Sequence, residues 1–107
     1  MAEPFEELAG LDRLIHEPAR LAIMTALSAS KGADFLFLQR ITGLTKGNLS
    51  SHLSKLEDAG LVEIKKQFVG KTPNTVVSLT KSGRAAIDDH WQRLEKLRKS
   101  ARGSERT

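Results

Sequence analysis

The sequence predicts a mainly α chain that carries a small β-hairpin, an α+β fold. Three observations carry that reading. Apolar residues recur at helical spacing in five segments. Two runs rich in β-branched residues, "LVEIKKQFV" and "TVVSLT", are separated only by "GKTPN". Residues suited to capping or stopping a helix fall at the segment ends.

In chain order, Phe5, Leu8, Leu11 or Asp12, and Ile15 outline an imperfect N-terminal helix. Pro18 suits the first position of a second helix, although Glu17 before it is a weak N-cap by type. In "ARLAIMTALSAS", Leu21, Met24 and Leu27, with Ile23 beside them, give a core-facing stripe that Gly32 is expected to end. Asp34 is the expected cap of "FLFLQRIT", with Phe35, Leu38 and Ile41 on one face and Gly43 as the stop. Thr45 caps the next helix, which buries Leu49, Leu53 and Leu56 and closes at Asp58-Ala59-Gly60. The two strands then pair across "GKTPN" as a five-residue connection. Thr80 caps a last helix with Ile87, Trp91, Leu94 and the stem of Arg98 in one line. One domain over 1–99 and a polar, flexible tail over 100–107 complete the expectation. Two short helices joined at Gly43-Leu44 and followed by a hairpin make a winged helix-turn-helix.

Composition narrows the function classes. The chain has no Cys, which removes disulfides, thiolate metal sites and cysteine nucleophiles. No apolar run reaches bilayer length and no secretory signal is evident, so a cytoplasmic setting is expected. A net charge of +4 is compatible with nucleic acid without selecting it. The charge is unevenly placed. Residues 1–17 hold five acids against Arg13, whereas residues 90–107 hold six bases against two acids. The two ends either attract each other or form separate solvated tails.

The segment "LTKGNLSSHLSKLEDAGLV" is the most informative. On its other faces it carries Gly47, Asn48, Ser50, Ser51 and Ser54, all poor helix formers. Gly costs roughly 1 kcal/mol relative to Ala in a helix interior, and Ser or Asn about 0.5. Lys46 stands in the first turn, where the helix dipole favours an acid, and no acid occurs from Thr45 to Leu56. Slim side chains and an N-terminus free of acids suit a helix that enters the major groove of DNA and meets phosphate. In that reading Asn48 and Lys55 reach base edges, Ser50 and Ser51 reach bases or phosphate, and His52 donates to phosphate. Thr45, Lys46 and Gly47 form the approach end. On the hairpin, Lys65, Lys66 and Lys71 with Thr72 and Asn74 offer charge and donors to the backbone or the minor groove. A solvated, drifted surface and a solubilising hairpin are the plain alternatives.

Beside these residues, the chain resembles the ArsR/MarR-type winged-helix transcriptional regulators, most nearly those without a fused sensor domain. The matching stretches are "HEPARLAIMTAL", "DFLFLQRITGLTKGNLSSHLSKLEDAGLVEIKK" and "GKTPNTVVSLTKSGR", and the likeness covers about residues 16 to 95. The resemblance implies a cytoplasmic homodimer on a pseudo-palindromic operator, usually a repressor. Its recognition helix would be 45–59 and its wing 65–75. Arg84 would be a phosphate or strand-end contact. Dimer contacts would come from the first and last helices, here Leu8, Leu11, Ile87, Trp91 and Leu94. No cofactor and no metal are expected: His16, His52 and His90 lack a ligand spacing, and His90 reads as a surface residue. The resemblance leaves a small-molecule effector unassigned.

A catalytic role finds no support. No nucleophile stands beside a base in a known motif, and "GKTPNT" lacks the upstream Gly and the following helix of a phosphate loop. The remaining alternative is a winged-helix protein–protein module, which the absence of acids over residues 45–56 disfavours.

Overall fold

The computed structural model describes residues 12–105. Its elements run α1 (Pro18–Ser28), β1 (Ala33–Asp34), α2 (Phe35–Thr42), α3 (Lys46–Asp58), β2 (Val62–Val69), β3 (Thr72–Leu79) and α4 (Lys81–Glu105). Four helices and a three-stranded antiparallel sheet of order β1-β3-β2 make a winged helix. The apolar stripes meet in one core. Ile23, Met24 and Leu27 of α1, Leu38 of α2, Leu49, Leu53 and Leu56 of α3, Val62 and Val77 of the hairpin, and Ile87 of α4 are all buried there.

Local chemistry sets most boundaries as expected. Asp34 accepts from the Phe37 N–H at 2.7 Å, and Thr45 from the Asn48 N–H at 3.2 Å. Thr80 Oγ1 accepts from the Gly83 N–H at 2.9 Å and donates to the Gly60 carbonyl at 2.6 Å. Thr80 therefore caps α4 and also ties it to the end of α3.

Three local expectations are corrected. Glu17 caps α1 after all: its Oε2 accepts from the Arg20 N–H at 2.9 Å. Gly32 does not stop α1, which ends at Ser28 with Ala29 as its cap. Instead Gly32 lies against β3, where a Cβ would stand 3.2 Å from Val76 Cγ1. The hairpin turn has two residues, not five, because Val69 pairs with Thr72. Gly70, at φ 65, supplies the positive torsion that a II′ turn needs at its first central position. Pro73 sits within β3, where it pairs with Phe68 beyond the reach of β1 and needs no second partner for its missing N–H. Helix α4 extends to Glu105, into the residues expected as a polar tail. Its i,i+3 and i,i+4 pairs, Glu95–Arg98 and Asp89–Arg93, favour continuation.

Strand β1 was not anticipated; its two residues pair with Val76 and Val77 and extend the hairpin into a sheet. His90 is buried at 2 % exposure rather than lying on the surface. Ile87, expected at a dimer contact, is fully enclosed by the chain's own core. Leu8 and Leu11 lie outside the described residues.

Candidate nucleic-acid interface

The sequence places Leu49, Leu53 and Leu56 on one stripe of α3, and the core takes all three. The opposite surface is thereby turned to solvent. Thr45, Lys46, Gly47, Asn48, Ser50, Ser51, Ser54 and Lys55 are exposed. No acid occupies the first turn, so the free N–H groups and Lys46 set a positive end. Gly47 has open space around it, with nothing within 4 Å of where a Cβ would stand. Packing therefore does not require a glycine at that position.

One flank of α3 faces the hairpin across an open cleft. Lys46, Ser50, Ser54 and, at its far end, Glu57 line it from α3, Lys66, Asn74 and Thr75 from the strands, and Gln39 from α2. Sequence reasoning missed Gln39; its spacing from Phe35, four residues on, was the available signal. The pleat sorts the two adjacent lysines. Lys66 shares the face of Ile64 toward the cleft, whereas Lys65 is on the other face with Glu63, 3.5 Å away. Lys71 occupies the two-residue turn, and Thr72 is the first residue of β3.

The other flank of α3 is anchored to α1. His52 Nδ1 lies 3.1 Å from an Arg20 guanidinium nitrogen and 3.6 Å from Glu17 Oε2. Arg20 donates, so the neutral His52 ring carries its proton on Nε2. His52 thus has one nitrogen engaged inside the chain and one left for an outside partner. Partial burial opposes charge on Glu17. Hydrogen bonds from the Arg20 and Ala19 N–H groups, with His52 and Arg20 nearby, outweigh it and hold the carboxyl below its ordinary value. Thr45 also serves the fold, since its hydroxyl accepts at the helix start.

Away from this surface, Trp91 is 45 % exposed, and its indole N–H donates to Thr25 Oγ1 at 2.9 Å. Its ring borders a shallow apolar groove with Pro18, Leu21, Ala22 and Ile41. Leu94 is half-buried further along α4. The Arg84 guanidinium donates to the Ser28 and Ser30 carbonyls at 3.2 and 3.3 Å, closing the end of α1. Among the described residues no cluster of three or more His, Asp or Glu could hold a metal, and no helix is long and apolar enough to cross a membrane.

Comparison with known proteins follows the same outline. The family description "winged helix DNA-binding domain" matches residues 19–98. The HTH-type transcriptional regulator YgaV of Escherichia coli K12 is 40% identical over 58 residues, 54% of this chain and 59% of its own length. The structure of a transcriptional regulator homologue from Pyrococcus horikoshii OT3 superimposes with a TM-score of 0.83 at 31% identity, covering 94% of this chain and 98% of that one. A MarR-family regulator structure from Enterococcus faecalis V583 shares the fold at a TM-score of 0.77 and 21% identity, over 100% of this chain and 96% of its own.

Proposed function

The chain belongs to the winged helix DNA-binding domain family, and on that premise we propose that it is a transcriptional regulator of the MarR type, a homodimeric, sequence-specific repressor rather than an enzyme. The carrying observation is the exposed surface of α3 over residues 46–55, which carries no acid and lies beside Lys66 and Asn74, with Glu57 only at the far end of the cleft. In this reading α3 enters the major groove. Asn48, Ser51 and Lys55 address base edges, while Lys46, Ser50 and His52 Nε2 address phosphate. The hairpin lies along the backbone toward the minor groove, with Lys66, Lys71, Thr72 and Asn74 directed to the duplex.

Dimerisation supplies the second half-site. Trp91 and Leu94 keep apolar surface that one chain does not enclose, and the groove beside Trp91 adds to it. A two-fold axis there would set two α3 helices about 34 Å apart, in successive major grooves. Bound at a promoter in the cytoplasm, such a dimer excludes polymerase.

The test is selection of bound fragments from a pool of genomic duplexes, followed by titration of the enriched sequence. A symmetric motif bound far more tightly than bulk DNA is the expected result. Absence of retention on any duplex at low ionic strength would overturn the proposal.

A further inference from the structure

The hairpin carries an apolar tip that the core does not use. Phe68 is 72 % exposed and Val69 63 %. Phe68 pairs across the strands with Pro73, which is also exposed. The two-residue period of β2 places Phe68 on the side of Ile64 and Lys66, the side that faces α3, and Pro73 itself borders the cleft with Lys46 and Ser50. Ile64 packs against the core, but four residues further out Phe68 is left exposed among the described residues. An aromatic ring left bare on a strand weakens solubility and invites pairing with other chains.

The surroundings of that ring select its occupant. From Ile64 to Val77 the hairpin contains Lys65, Lys66 and Lys71 and no acid. An apolar pair set among cations, on the same side as the N-terminal part of α3, which holds no acid before Glu57, complements a polyanion with apolar walls. The minor groove has that chemistry, with phosphates along its rims and sugars and base steps between them.

We propose that Phe68, backed by Pro73, is an apolar wedge that enters the minor groove next to the segment read by α3 and partly opens a base step. Lys66 and Lys71 hold the flanking phosphates. The wedge makes the duplex bend, and it adds a preference for easily unstacked pyrimidine–purine steps at positions that α3 does not touch. Phe68 is thus a specificity-determining residue. This inference rests on the DNA-binding reading above.

The experiment uses the full chain and the enriched duplex, labelled at both ends so that energy transfer reports bending. Phe68→Ala is compared with Val69→Ala, an equal kind of deletion on the opposite sheet face, and with Phe68→Leu. Phe68→Ala should weaken binding about tenfold, reduce the bend and leave the salt slope unchanged, since no cation is lost. It should also lose the preference for a TA or CA step beneath the hairpin. Val69→Ala should match the wild type, and Phe68→Leu should keep most of the bend. Wild-type affinity and bend in Phe68→Ala would overturn the wedge while leaving the DNA-binding reading intact. So would a fall in oligomer mass of Phe68→Ala without DNA, because the ring would then face a second copy. Failure of the wild type itself to bind would instead refute the underlying reading.

Discussion

His16 and His90 are 74 positions apart in sequence, yet Nδ1 of one lies 3.1 Å from Nε2 of the other. Their ring centroids are 5.1 Å apart, and His90 is buried beneath the segment that leads into α1. A single proton between the facing nitrogens makes a hydrogen bond; a proton on each would set two donors against one another.

This contact predicts acid sensitivity. Burial, then His16 and Arg93, lower the pKa of His90 from its ordinary 6.5, while Asp12 and Asp89 oppose that change. The folded chain therefore takes up this proton at lower pH than the unfolded chain does. Between the two values the unfolded state binds more protons, so stability falls as pH drops below about 6.5. Melting followed from about pH 7.5 to 5.5 should show the Tm declining. His90→Gln should flatten that slope.

A second expectation concerns two glycines of opposite kind. A Cβ at Gly83 would lie 1.9 Å from the Leu61 carbonyl oxygen, where Thr80 holds α4 against the end of α3. Gly83→Ala should cost about 3 kcal/mol or more, lowering Tm by roughly 10–20 °C. Gly47 meets nothing. Gly47→Ala should raise stability by about 0.5–1 kcal/mol while weakening duplex binding, because the methyl group stands on the surface offered to the groove. Thermal melting and a gel-shift titration on the same variant check both halves.

The neighbouring lysines of β2 separate cleanly. Lys66 faces the cleft beside α3, whereas Lys65 is paired with Glu63 on the far side. Lys66→Ala should reduce the salt slope of binding by about one and lower affinity several-fold. Lys65→Ala should change little. Titrations at several salt concentrations, analysed as log K against log salt, decide between them.

Ile87 and Trp91 lie one turn apart on α4 but serve different ends. Ile87 is fully buried, and Ile87→Ala should cost about 2–5 kcal/mol of folding stability. Trp91 keeps nearly half its surface, and Trp91→Ala should shift a dimer toward monomer with a smaller loss of stability. Light scattering at micromolar concentration, with melting curves alongside, distinguishes the two. A wild-type chain that is strictly monomeric would remove the two-fold arrangement.

Much of the fold is legible in single segments because its signals are local. Asp34, Thr45 and Thr80 cap helices within three residues of themselves, and the leucines of α3 repeat at helical spacing. What sequence alone missed depends on chain segments meeting. Glu17 is a poor cap by type, but here it is supported by Arg20 and by His52 from α3. The two residues of β1 are too few to signal a strand until β3 lies beside them. His90 reads as polar and peripheral until His16 gives it a partner. Pro73 suggests a turn, although an unpaired strand margin accepts it equally well. The surface of α3 stood out because its composition conflicts with helix stability. The placement of Lys65 and Lys66 on opposite sides needed the register of the strands.

Helix α1 is clamped at both ends, to α3 through Glu17, Arg20 and His52, and to α4 through Arg84. It therefore works as a tie rod between α3, the proposed DNA-reading helix, and the helix that carries Trp91. In the proposed dimer, the angle that two copies adopt along α4 would pass through that rod to the spacing of their two α3 helices.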